Sequence, residues 1–201
     1  PPENILARLG APSRLLTRAG AGPNARHQTL RAVIEWSAQH LAEEELRTFR
    51  ALSTFVGSWS LESATAICAT GLDEFEVLDI LQRLADNSLV VLQRDAAGDA
   101  RYRYLENVRH LALEMAGAAG ETEDLHARHL AWFLSVAADS QVALGGPEQK
   151  TWLGRLDLEH DDLLAAHRWA AGRAEEAEKA LRLAGSLARY WSMRGHFRLA
   201  R

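Results

Sequence analysis

The chain has 201 residues, 47% of them hydrophobic, with 27 acidic side chains against 23 basic ones and a formal net charge of −4. That balance fits an ordinary globular protein of one or two domains and argues against a general binder of nucleic acid or anionic membrane. No apolar run approaches the roughly 20 residues that cross a bilayer, nothing reads as a signal peptide, and the single Cys68 cannot close an internal disulfide, so a cytoplasmic protein is expected. Cys68, beside Ala64, Ala66 and Ile67, reads as a small buried hydrophobe rather than a reactive thiol.

Residues 2–16 form a short amphipathic helix by pattern, and Arg18 to Arg26, rich in Gly, Ala and Pro, reads as a linker. A long helix is expected from Thr29, with Leu30, Val33, Ile34 and Leu41 on one side. A second helix runs from near Ala42 to Phe55, Gly57 ends it, and Trp59 to Leu61 is a short extended piece before a helix over 62–69. Helix 73–87 then places Val77, Ile80, Leu81 and Leu84 in one apolar stripe. Leu89 to Arg94 switches to β-branched composition, Asp95 to Asp99 has turn chemistry, and Arg101 to Leu105 alternates as a return strand. A helix feeding a β-hairpin in a helical chain is the pattern of a winged helix.

Winged helices bind either DNA or other proteins, and charge separates the two. In the DNA-reading version the helix before the hairpin enters the major groove and faces phosphates. Helix 73–87 would bring Asp73, Glu74, Glu76, Asp79 and Asp86 there against Arg83 alone. The hairpin offsets Arg94, Arg101 and Arg103 with Asp95 and Asp99. Direct DNA contact is therefore not expected.

Beyond the hairpin the periodicity is helical throughout. Helix 106–118 uses Val108, Leu111, Ala112 and Met115, and a helix from Glu121 uses Leu130, Phe133, Leu134 and Ala137. Gly145-Gly-Pro147 interrupts it. Trp152, Leu153 and Leu156 then lead into a long segment with Leu163, Leu164, Ala166 and Trp169. Helix 174–194 shows a stripe of Ala177, Ala180, Leu181, Ala184, Ala188 and Trp191, and Gly195 to Arg201 looks like the start of another helix. Small and large apolar residues alternating along successive helices are what antiparallel helical-repeat packing requires. The chain opens on Pro1-Pro2 and stops at Arg201 inside helical periodicity, so it reads as a segment of a longer protein.

No constellation points to catalysis. Neither Lys150 nor Lys179 follows a glycine, so no phosphate-cradling loop is present, and no serine sits in a Gly-x-Ser-x-Gly elbow. His126 and His129, an i, i+3 pair after Glu123 and Asp124, lack a third ligand at matching spacing and read as the flank of a packed helix rather than a metal site. Asp157, Glu159, His160, Asp161 and Asp162 read as a helix start and solvated face, since they lack Ca²⁺-loop spacing. The six tryptophans fall mainly at helix-packing positions. The segment is expected not to be an enzyme.

Several blocks in fixed order carry a family resemblance: Arg26 to Ser37, Phe49 to Gly57, Leu81 to Val90, Tyr102 to Arg109, His129 to Phe133 and Leu158 to Ala166. The chain resembles the segment downstream of the nucleotide-binding core in bacterial STAND-class signalling ATPases, including large LuxR- and AfsR-type transcriptional regulators. The resemblance implies a mainly α fold: a winged-helix domain with a small β-hairpin, followed by an antiparallel, tetratricopeptide-like helical-repeat bundle. It implies residues 1–25 as the end of an upstream helical module with its linker, 26–118 as the winged helix, and 121–201 as the start of the repeats. It further implies that an upstream ATPase module is the partner in cis, with ATP or ADP as that module's cofactor and none in this segment. A protein or small-molecule inducer is expected on the repeats. Relatives carry a Met-His-Asp motif after the second wing strand, whose His touches ADP. Tyr104, Leu105 and Glu106 align with it, so only Glu106 matches. Arg26, His27 and Glu106 are the resulting nucleotide-facing candidates. The function expected is a non-catalytic relay coupling sensor binding to a nucleotide switch. The alternative is a DNA-binding winged-helix regulator.

Overall fold

The computed structural model describes residues 23–68 and 71–195, apart from the side chains of residues 23–28. The expected helix over 2–16 and the helix start after Gly195 lie outside the described residues. The chain divides into two compact units, residues 1–40 and 41–201. The boundary expected after residue 118 falls inside the second.

In the first unit, helix α1 spans Pro23–Ala38. It starts earlier than Thr29 because proline suits the first helical turn, where its missing N–H would have no partner. The last residues of the expected linker are therefore helical. Ile34 and Ala38 are buried, but Leu30, Val33 and Trp36 are exposed, Trp36 by 63%, so the apolar side read from the sequence is not a buried face.

The second unit begins with α2, Glu43–Ala51, whose first turn carries Glu43, Glu44 and Glu45 where the helix dipole favours acids. A 3₁₀ turn over Leu52–Thr54 follows, then β1 (Ser58–Trp59), α3 (Leu61–Cys68), α4 (Glu74–Asp86), β2 (Val91–Arg94) and β3 (Ala100–Arg103). The antiparallel sheet has the order β1-β3-β2. Ser58 faces Arg103, Trp59 faces Tyr102, and Leu92 faces Tyr102 from the other side. This is winged-helix topology.

Local chemistry fixes α4 at both ends. The Glu76 N–H donates to Asp73 Oδ1 (2.9 Å) and the Asp73 N–H donates to Glu76 Oε2 (2.8 Å), a reciprocal box that satisfies two amides. At its other end Ser88 takes φ +59°, with the Ser88 N–H on Ala85 O (2.9 Å) and the Leu89 N–H on Leu84 O (2.9 Å). These are the paired bonds of a Schellman stop.

Among the described residues five α-helices follow, α5 (Glu106–Ala118), α6 (Thr122–Ala143), α7 (Gln149–Leu158), α8 (His160–Ala171) and α9 (Ala177–Arg194), with a 3₁₀ turn over Ala174–Glu176 before the last. Trp152, Leu153 and Leu156 lie in α7 and Leu163, Leu164, Ala166 and Trp169 in α8, with the chain turning at Glu159 (φ −93°, ψ 3°), inside the acidic run read as a helix start. Helix α9 buries Ala180, Leu183, Leu187, Tyr190 and Trp191 and leaves Leu181 74% exposed. Ala180 and Trp191 of the expected stripe are buried, while Ala177, Leu181 and Ala188 are exposed and Leu183, Leu187 and Tyr190 take the buried positions, because that face removes more apolar surface from water. Helix α6 packs on α8, α9 and the winged helix. Among the described residues no helix is long and apolar enough to cross a membrane.

Candidate functional site

The winged helix and the later helices meet through buried polar groups held by buried aromatic ones. The 3₁₀ turn after α2 is tied by Ser53 Oγ to Arg50 O (2.6 Å) and Thr54 Oγ1 to Ala51 O (3.0 Å). Phe55 then turns extended and directs the next amides away from the helix. The Val56 N–H donates to Asp162 Oδ1 (2.7 Å) and the Gly57 N–H to Asp162 Oδ2 (3.2 Å). Asp162 stands in the first turn of α8, and His129 of α6 reaches its Oδ1 at 3.3 Å. Both side chains are buried. A carboxylate taken out of water needs such partners. Gly57 allows the close approach: a Cβ there would lie 3.1 Å from Asp162 Oδ2, and the carboxylate would have to give way slightly.

A second connection runs from the wing. Arg101 on β3 donates Nη1 to Glu159 Oε1 (2.6 Å) and Nε to Ser58 Oγ (3.2 Å), and Nη2 donates to Ser58 O. Burial pushes the Glu159 carboxyl above its ordinary value, against the opposing pull of Arg101. Arg109 of α5 donates Nε to Phe55 O at 2.6 Å. Around these groups Phe55 stacks on Trp59 (5.1 Å), meets His129 edge-on (5.5 Å) and contacts Phe133, while Trp59 meets Tyr104 edge-on (5.0 Å). Tyr104 OH donates to Phe49 O at 2.9 Å.

Glu159 and Asp162 do not belong to a solvated acidic face; they are buried where α7 and α8 meet the winged helix. Asp157 of the same run is held by Tyr190 OH (3.1 Å) and Arg194 Nε (2.9 Å). Arg101 is not a basic group on the wing surface, so the hairpin offers only Arg94 and Arg103 to a partner. Arg94 donates to Gly98 O and Arg103 to Gln93.

His126 and His129 part company. His126 stacks on Trp169 at 5.6 Å, and burial lowers its pKa to about 4. Among the described residues no His, Cys, Asp and Glu group could hold a metal ion. Cys68 is buried and its thiol is pushed up to about 12 by desolvation.

Of the nucleotide-facing candidates, Arg26 and His27 lie in α1 with side chains outside the described residues. Glu106 is exposed and pairs with His110 one turn on, at 3.0 Å. The residue capping α5 is Leu105, without a side-chain cap bond, so Glu106 does not cap the helix. Glu159 stands just before α8 and Asp162 in its first turn, positions where acids favour any helix N-terminus, so local spacing did not mark the junction.

The fold and this junction define a winged helix fused through buried ion and hydrogen-bond pairs to the helices that follow it. A protein of Mycobacterium tuberculosis, provisionally named an HTH-type transcriptional regulator, is 42% identical over 186 residues, 92% of this chain and 21% of that protein. The Mycobacterium bovis counterpart bears the same kind of name and matches equally. An uncharacterised M. tuberculosis protein is 33% identical over 130 residues, 64% of this chain and 33% of its own length. The chain thus spans about a fifth of the length of the named regulators it matches. No family model matches, and no solved structure matches.

Proposed function

We propose that this chain is a non-catalytic relay segment of a larger transcriptional regulator, with the winged helix making protein contacts and the helical repeats biasing its position. The regulator class draws support from the names of the relatives. The relay rests on one observation: Asp162, on a repeat helix, is the shared acceptor for the Val56 and Gly57 amides of the winged helix and a partner of His129. A carboxylate with partners in two layers converts a shift of one into a change in the other, provided two docked arrangements exist. The finer reading adds an upstream nucleotide switch, and an inducer on the repeats, as the inputs.

The test is transcription from a reporter driven by the full-length regulator, with Asp162→Asn, His129→Gln and Gly57→Ala compared. The relay reading expects inducer response to be lost or made constitutive at preserved protein level in at least the mildest of these variants. Wild-type response from folded variants in which the junction is broken overturns it.

A second reading, a DNA-binding winged helix, is favoured more directly by the relatives' names. Its surface would be α4, with Glu74, Glu76, Asp79 and Asp86, and the wing's Arg94 and Arg103. Against phosphates that helix loses the counterion-release term. Gel shift with Arg94→Glu and Arg103→Glu decides: salt-sensitive duplex binding that these changes abolish favours the DNA reading.

A further inference from the structure

The outer face of α4 presents two apolar side chains inside an acidic ring. Phe75 is 78% exposed and Leu78 is 38% exposed, one turn apart on the same face. Glu74 and Asp79 lie exposed next to them, and Asp86 more than two turns further along the same helix, where it accepts from Gln82 at 3.0 Å. The one cation of this helix, Arg83, is drawn off to Glu45 at 2.9 Å. The face is presented rigidly: Asp73 and Glu76 lock the first turn, and Val77, Ile80, Leu81 and Leu84 anchor the opposite side in the core. A phenylalanine held in water on a rigid helix is the pattern of a contact residue rather than of a stabilising one.

We infer that this face of α4 docks a basic amphipathic segment of a protein partner, Phe75 and Leu78 entering its apolar side while Glu74, Asp79 and Asp86 meet its arginines or lysines. Charge selects that occupant. Duplex DNA and anionic lipid would face carboxylates, whereas a cationic peptide gains steering and specificity from them. A second copy of the face would oppose like charges. The inference rests on the protein-contact reading of the winged helix, but it concerns contact and not coupling. The junction variants above can therefore fail while this test succeeds, and the reverse.

The experiment is a fluorescence anisotropy titration of the whole chain at two ionic strengths. The probe is a short labelled helix-forming peptide with leucines on one face and arginines beside them. Controls are the same peptide with glutamates for arginines, and a mixed-sequence duplex DNA. Phe75→Ser, Leu78→Ser and the pair Glu74→Lys with Asp79→Lys are compared with wild type. Helix content by circular dichroism is expected to stay at the wild-type level in every variant. Melting temperature is expected to hold in Phe75→Ser and to fall slightly in Leu78→Ser, which is partly buried, and in the charge-reversed pair, which loses a first-turn acid. Binding is therefore read well below all the melting temperatures. The arginine peptide is expected to bind wild type, with affinity falling about tenfold or more in Phe75→Ser and in the charge-reversed pair. The glutamate peptide and the duplex are expected not to bind. Absence of arginine-peptide binding, binding indifferent to Phe75→Ser, or duplex binding through these same residues overturns the inference.

Discussion

Arg101 Nη1 lies 2.6 Å from Glu159 Oε1, and only 5% and 4% of the two side chains reach solvent. The pair joins the returning wing strand to the break between α7 and α8. Removing one partner of such a buried pair costs about 3–5 kcal/mol, since the other charge stays buried alone. Arg101→Met is therefore expected to lower unfolding free energy by that order in a denaturant titration. The pH response carries the mechanism. Without Arg101, burial and the neighbouring Asp162 carboxylate raise the Glu159 pKa further against Arg155, so the folded state favours the protonated carboxyl. Stability from that form is fully present below the ordinary carboxylate pKa of about 4.3 and lost as pH rises through the raised value. The deficit of Arg101→Met is expected to shrink toward acid and grow toward neutrality; a pH-independent deficit would contradict the assignment.

The winged helix was legible because its signals are local. The apolar stripe of α4, the turn at Asp95 to Asp99 and the alternation of β3 each need a few neighbouring residues, and Val77, Ile80, Leu81 and Leu84 are buried as their spacing implies. The junction was not legible in the same way. Asp162 meets Val56 across 106 positions and Arg101 meets Glu159 across 58, so local pattern reads both acids as solvated. Helix α9 failed for a different reason: two adjacent stripes were both apolar, and the choice between Leu181 and Leu183 depends on what α6 and α8 offer them.

Ser88 is the described non-glycine residue at positive φ, +59°, in the stop after α4. A left-handed conformation costs an L-residue roughly 1–2 kcal/mol that glycine avoids. Ser88→Gly is expected to raise stability by about 1 kcal/mol, less what glycine loses through a freer unfolded chain. For a chain this size that is about 2–4 °C in a melting scan. A drop in melting temperature would mean the Ser88 side chain contributes more than its backbone costs.

His126 makes stability depend on pH in the opposite sense from Glu159. Burial lowers its pKa to about 4, His129 and Arg173 act in the same direction, and Glu123 opposes them. Between about 6.5 and 4 the unfolded chain binds a proton that the folded chain refuses. The stability His126 contributes is present above the unfolded pKa and is lost as pH falls through that window. His126→Phe keeps an aromatic ring against Trp169 and removes the titration. The difference in melting temperature between wild type and variant is expected to move in the variant's favour as pH falls from about 6.5 to 4. A constant difference over that range would sink the attribution.

Glu106 separates a local role from a relay role. Its carboxylate lies 3.0 Å from His110 Nε2, with 69% and 61% of the two side chains exposed, and Leu105 rather than Glu106 occupies the capping position of α5. An exposed i, i+4 pair contributes about 0.2–0.5 kcal/mol, and an acid in a first helical turn about 0.3–1 kcal/mol. Glu106→Gln is accordingly expected to change stability by about 1 kcal/mol or less. In a full-length regulator carrying a nucleotide switch, a relay contact through this carboxylate would alter ADP retention or basal transcription far more than so small a stability change can. Both quantities are measured beside the melting temperature of the same variant. ADP retention and output at wild-type levels remove Glu106 from the relay and leave the junction at Asp162 and Glu159 as its remaining support.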